Sequence, residues 1–260
     1  MNTWRVLWIK EFRESWRSFK LLWIPLLFLF LGVSDPLVNY FMEDILNAVG
    51  NMPEGFQMIM PELHARDLLL ATTEQFQMMG IIVLIAVFVG TISRERSGGT
   101  ATLIYVRPVS AASIFLSKWM GASLVALLSA LIGYIGSIYY TSVLYGEITF
   151  STALTIIATY SVWLLLVMSL TVALSAAFTT AVAASLAIIL IPIGGILDSL
   201  LGGYWHVTPW KLARYGVLVT DGTIESSYYW TTLLLVIGIT LLCLVLGIWA
   251  TDRNRRLAAV

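Results

Sequence analysis

Six apolar runs, each close to the roughly 20 residues a helix needs to cross a bilayer's hydrocarbon core, constrain this chain more than any other feature: residues 20–41, 76–93, 119–141, 152–178, 183–201 and 229–250. In hydrocarbon every backbone polar group must be satisfied internally, which leaves only helices or closed barrels. Unbroken apolar runs of this length predict helices. The expected fold is therefore all-α: a polytopic membrane protein of six transmembrane helices forming a single domain over residues 1–260. Composition agrees, since 59% hydrophobic and 12% charged residues, with a mean hydropathy of +0.87, lie outside the usage of soluble domains. The lone cysteine, Cys243, rules out an intrachain disulfide.

Charge placement sets the expected orientation. Arg5, Lys10, Arg13, Arg17 and Lys20 precede the first run, Arg94, Arg96, Arg107 and Lys118 fall between the second and third, and Arg253, Arg255 and Arg256 follow the sixth. The other side holds only Arg66, Lys211 and Arg214. The positive-inside rule puts the basic side, and with it both termini, in the cytoplasm of a multi-pass cell-membrane protein. An even number of spans requires both termini on one side, which checks the count independently. The outer loop, 42–75, is acidic and long enough to predict short helices, and the outer segment 202–228 carries interfacial aromatics such as Trp205 and Trp210.

Residues 1–19 lack the apolar core and cleavage site of a secretory signal, so the segment is expected to remain in the mature protein. Trp4, Leu7, Trp8, Glu11, Phe12, Ser15, Trp16 and Phe19 recur at steps of three and four. This is the pattern of an amphipathic helix lying in the membrane interface.

The connector SRERSGGTATLIYVRPVS, Ser93 to Ser110, concentrates charge, glycine and proline in a chain that otherwise avoids them. Gly98 and Gly99 permit a tight bend, Pro108 can begin a new helix, and Ser110 is placed to cap the helix entering the third span. A short helix held at the membrane surface between two bends would act as a lever. The run ERSGGTATLIYVRPVSAASIFLSKWMGA resembles the segment between the second and third spans of ABC type-2 export permeases, through Glu95, Gly99, Thr100, Pro108, Val109, Ser110 and Lys118. Gly98 is an extra glycine, and Tyr105-Val106-Arg107 stands where a leucine-rich step is more usual.

The resemblance implies a permease subunit of an ATP-driven exporter. Residues 94–117 would then be a cytoplasmic coupling segment seated on an ABC ATPase dimer, and a second permease subunit would complete the substrate path. It further implies ATPase contacts at Arg94, Glu95, Arg96, Gly99, Thr100, Leu103, Arg107, Pro108 and Ser110. The sequence contains no GxxxxGK[ST] loop, so ATP and Mg are expected on the partner ATPase and no cofactor or catalytic residue is assigned to this chain.

Candidates for the substrate path are Asp35, an acidic residue within a run, and Pro192, Gly194 and Gly195, which suggest a broken fifth span. Asp35-Pro36 also reads as a bend at the outer helix end, and the glycines as close-packing sites. Ser161, Ser169, Thr171 and Ser175 are expected to serve as interhelical glue. Met52, Met58, Met60 and His64 are soft donors of the kind that suit Cu(I), and their loop resembles that of a permease type serving copper delivery. Methionine equally fills gaps in helical packing, and no metal is expected. The rival readings are an ion-driven carrier, which would require more intramembrane ionisable groups than Asp35 alone, and a mechanical subunit acting on an extracytoplasmic partner. A path lined by apolar and aromatic residues leans towards an amphipathic peptide, lipid or drug as cargo, and nucleic acid is not an expected partner.

Overall fold

The computed structural model describes residues 3–49, 63–98 and 109–257. The helices are α1 (Thr3–Arg17), α2 (Lys20–Tyr40), α3 (Met42–Val49), α4 (Ala65–Ser97), α5 (Ala111–Tyr145), α6 (Phe150–Ala177), α7 (Thr180–Leu201), α8 (Leu212–Leu218) and α9 (Ser226–Leu257). No strand occurs among the described residues. Six of these helices, α2, α4, α5, α6, α7 and α9, are long and apolar enough to cross a membrane.

The expected spans are present, and several helices run past the apolar windows because their ends carry polar residues with partners. α4 begins at Ala65, not near residue 76, because Thr72 and Thr73 are paired: Thr72 Oγ1 lies 2.9 Å from Ser137 Oγ and Thr73 Oγ1 2.8 Å from the Tyr134 hydroxyl. The amide N–H of His64 donates to the Asp67 carboxylate at 3.1 Å where this helix starts. Ser110 caps α5 by accepting from the Ser113 N–H at 3.1 Å, as its position suggested. α2 continues through both Pro25 and Pro36 to Tyr40. Between α6 and α7 only Phe178 and Thr179 intervene.

α1 turns into α2 at Phe19, which takes a left-handed φ of 56°, a conformation unfavourable for a bulky residue. Glu11 and Ser15 of α1 are buried against the bundle, while Phe12, Trp16 and Phe19 stay exposed. This distribution suits a helix resting in an interface, with one edge on protein and one on lipid.

α4, α5 and α6 form the centre, and α7 and α9 bury only 22% of their apolar windows. α2 meets α5 at glycines: a Cβ on Gly133 would stand 2.7 Å from the Phe28 carbonyl oxygen, and one on Gly32 would overlap the Gly133 carbonyl. Small residues permit such backbone contact, the usual basis of tight packing where no hydrophobic force acts between helices. Beside this seam Phe28, Phe76, Tyr134 and Tyr160 are fully buried, with successive ring centroids 5.0, 5.1 and 5.3 Å apart. These tilted and edge-on contacts are favourable for aromatic quadrupoles.

Candidate functional site

The face of the bundle that carries both termini is held by an ionic cluster assembled from three helices. Lys118, in the second turn of α5, is 3% exposed. Its Nζ lies 3.0 Å from Glu11 Oε1 of α1 and 2.8 Å from Glu95 Oε1 at the end of α4. Lys10 Nζ adds contacts of 2.7 Å to Glu95 and 3.4 Å to Glu11. Burial alone would lower the Lys10 pKa, but the neighbouring carboxylates of Glu95, Glu11 and Glu14 outweigh it and hold the ammonium form above its ordinary range. Each lysine of the cluster thus faces both the Glu11 and the Glu95 carboxylate. Buried charges are tolerated only when paired in this way.

A second set of bonds ties the same end of α4 to the α6–α7 turn. The N–H groups of Ile92 and Ser93 both donate to Ser175 Oγ at 3.1 Å, and the Ser93 hydroxyl lies 2.7 Å from that of Thr180. Arg96 donates to the Ala176 carbonyl at 2.7 Å and also to that of Phe178. Asn254 of α9 donates to the Ala176 carbonyl at 2.7 Å. A helix leaves its last four carbonyls without intrahelical partners, and cationic donors suit that end of its dipole. Arg255 of α9 donates to the Val109 carbonyl at 2.7 Å. The connector is thus fastened where it leaves α4 and again where it enters α5.

Of the residues assigned to partner contact from the sequence, Glu95 and Arg96 engage the chain's own helices and Ser110 caps α5. Arg94 is exposed and lines a cavity of about 110 Å³ with Glu11, Glu14 and Glu95. Gly99, Thr100, Leu103, Arg107 and Pro108 lie outside the described residues, as do Met52, Met58 and Met60. His64 is exposed at the start of α4. Glu11, Glu14 and Glu95 come within metal-binding reach of one another, but two of the three already hold lysines.

The sequence reading missed Lys10, Glu11 and Lys118 as a unit. The available signal was Glu11, the one charged residue on the mostly apolar stripe of α1. Among the proposed glue residues, Ser175 alone bridges helices by a hydrogen bond to another described residue, since Ser161, Ser169 and Thr171 each donate to the carbonyl four residues back in their own helix.

The substrate-path candidates separate into two places. Asp35 pairs across to α4: with the Gln75 amide oriented to satisfy both its neighbours, its nitrogen donates to Asp35 Oδ2 at 3.1 Å and to the Leu31 carbonyl at 2.7 Å. Pro192 sits in a widened turn of α7, Ile189–Ile193. The carbonyls of Leu190 and Ile191 there accept from Trp210 Nε1 at 3.2 and 3.1 Å. Gly194 makes room for that indole, because a Cβ on it would stand 2.7 Å from the ring. Pro192 and Gly195 line a cavity of about 460 Å³ at the face opposite the termini.

Comparison with known proteins agrees with this architecture. The family described as "ABC-2 family transporter protein" matches residues 5–254. The "Uncharacterized transmembrane protein YxlG" of Bacillus subtilis (strain 168) is 31% identical over 176 residues, 68% of each chain. With the family pattern covering nearly its whole length and six helices suited to crossing a membrane, the chain belongs to the ABC-2 transporter family, as a multi-pass membrane component of an ABC transporter.

Proposed function

We propose that this chain is the permease subunit of an ATP-driven exporter, with both termini in the cytoplasm and residues 99–108 receiving force from a separate ABC ATPase dimer that binds ATP and Mg. A second permease subunit completes the path. The reading is carried by the fastening of the connector at both ends: Glu95 and Arg96 on one side, Val109 on the other, join it to α1, α5, α6 and α9. A push on the connector therefore reaches these four helices together with α4, from which it leaves, because buried ion pairs and short hydrogen bonds resist separation more than loose packing does. The basic residues gathered on this face support a cytoplasmic assignment.

In this reading Glu95 and Arg96 position the connector, and Gly99, Thr100, Leu103 and Arg107 are left to contact the ATPase. The test is a photo-crosslinking residue at Leu103 in the chain co-expressed with a candidate ABC ATPase, together with Gly99→Trp assayed for stimulated ATP hydrolysis in liposomes. The expected result is a covalent adduct with the ATPase and loss of stimulation in a variant that still inserts and folds. Adducts with lipid alone, combined with normal stimulation in Gly99→Trp, would refute the assignment.

A further inference from the structure

The cavity of about 460 Å³ between α4, α6, α7 and the α8 segment falls within the size range of small-molecule sites, and its charged groups are incompletely used by the protein. Asp198 is 6% exposed. One of its carboxylate oxygens accepts from Trp205 Nε1 at 2.9 Å, and it forms no ion pair among the described residues. A carboxylate this buried needs a counter-charge. Lys211, on the same wall, is committed elsewhere: its Nζ donates to the carbonyl of Gly202 at 2.9 Å and to that of Trp205. Arg214 lines the opening and makes no hydrogen bond or ion pair among the described residues. Trp163 lines the cavity too, and its buried indole N–H has no acceptor among the described residues.

We propose that this cavity binds a zwitterionic amphiphile, with its cationic group against Asp198, its anionic group against Arg214 and its apolar part along Ile191, Pro192 and Ile196. Two acids and two bases line the space, Glu74 and Asp198 with Lys211 and Arg214, so a ligand of single charge would leave one sign uncompensated. The adjoining face of α7 exposes Ile189, Ile193 and Leu197, which gives an alkyl chain a path from the bilayer into the cavity. The proposal extends the transport reading by naming a class of ligand, yet binding here requires no ATPase. The same chemistry fits a lipid of the bilayer and an exported single-chain amphiphile.

The experiment is native mass spectrometry of the full chain in alkyl maltoside, titrated separately with diacyl phosphatidylethanolamine and with single-chain lysophosphatidylcholine. Saturable retention of either supports the site: the diacyl probe identifies a bilayer lipid and retention of the single-chain probe alone identifies a smaller amphiphile. Asp198→Asn, which keeps an oxygen for Trp205, and Arg214→Gln are each expected to weaken retention by about tenfold, the scale of one charge-assisted hydrogen bond. Asp198→Asn should not lower the thermal midpoint, because it relieves an uncompensated charge. Retention unchanged in both variants, or matched by anionic phosphatidylglycerol, would overturn the proposal while leaving ATPase coupling untouched. Loss of coupling with binding intact would instead count against the exporter reading alone.

Discussion

Replacing Lys118 with methionine should cost far more than the loss of one surface charge. Its ammonium lies 3.0 and 2.8 Å from two carboxylates and is 4% exposed at the side chain. At an effective dielectric near 20, each such contact is worth about 5 kcal/mol in Coulomb energy, while taking each ion out of water costs several kcal/mol. The net value of the intact cluster is therefore small. Removing the lysine alone is different, since Glu11 and Glu95 then lose the buried cation between them, and breaking a buried pair by removing one partner costs about 3–5 kcal/mol. The single variant should melt about 10 °C lower, using the sensitivity of domains of this size. Glu11→Leu should be comparably damaging because it leaves an excess cation. The double variant Lys118→Met/Glu11→Leu retains the Lys10–Glu95 pair and should recover most of the loss. Thermal denaturation of the four proteins in nanodiscs completes the cycle. A double variant whose loss equals the sum of the two single losses would show that the charges do not sense one another, and the cluster would no longer explain how the connector is held.

Gly32→Val should destabilise α2 against α5 by at least the 1–3 kcal/mol typical of overpacking, because its Cβ would overlap a backbone carbonyl that has no side-chain freedom to yield; a melting point within error of wild type would contradict the seam. The pKa of Lys10 is raised above 10.5 in the folded chain, so its stabilising contribution is complete below about pH 10.5 and lost as pH rises through the folded value. The melting difference between wild type and Lys10→Gln should accordingly stay level from about pH 7 to 10 and shrink above that; a difference that grew with alkalinity would reverse the sign of the argument. Arg96→Gln should speed amide hydrogen exchange at the α6–α7 turn by freeing the Phe178 carbonyl and leaving that of Ala176 to Asn254 alone among the described residues. Unchanged exchange there would mean that the guanidinium does not hold the turn.

The family resemblance and the six spans were legible in the residues themselves. Mean hydropathy is a local property, and hydrocarbon accepts only segments that satisfy their own backbone, so composition in windows of about 20 residues determines the span count. The connector was equally visible, since charge, glycine and proline stand out against an apolar background. Helix ends were less legible: α4 starts before its apolar window because Thr72 and Thr73 find partners on α5, which no local count can register. Pro192 and Gly194 announced an irregular span, but not that Trp210 would fill it.

The ionic cluster was out of reach of any window, for Glu11 and Lys118 are separated by 107 positions. Their meeting depends on how α1 lies across the bundle, with Glu11 over Gly121 of α5, and on how α5 is rotated about its axis, which the glycine seam and the aromatic core settle. Whether a charge anchors a helix end in headgroups or closes a buried pair is a matter of distance and exclusion of water. Those quantities exist only once the helices are packed.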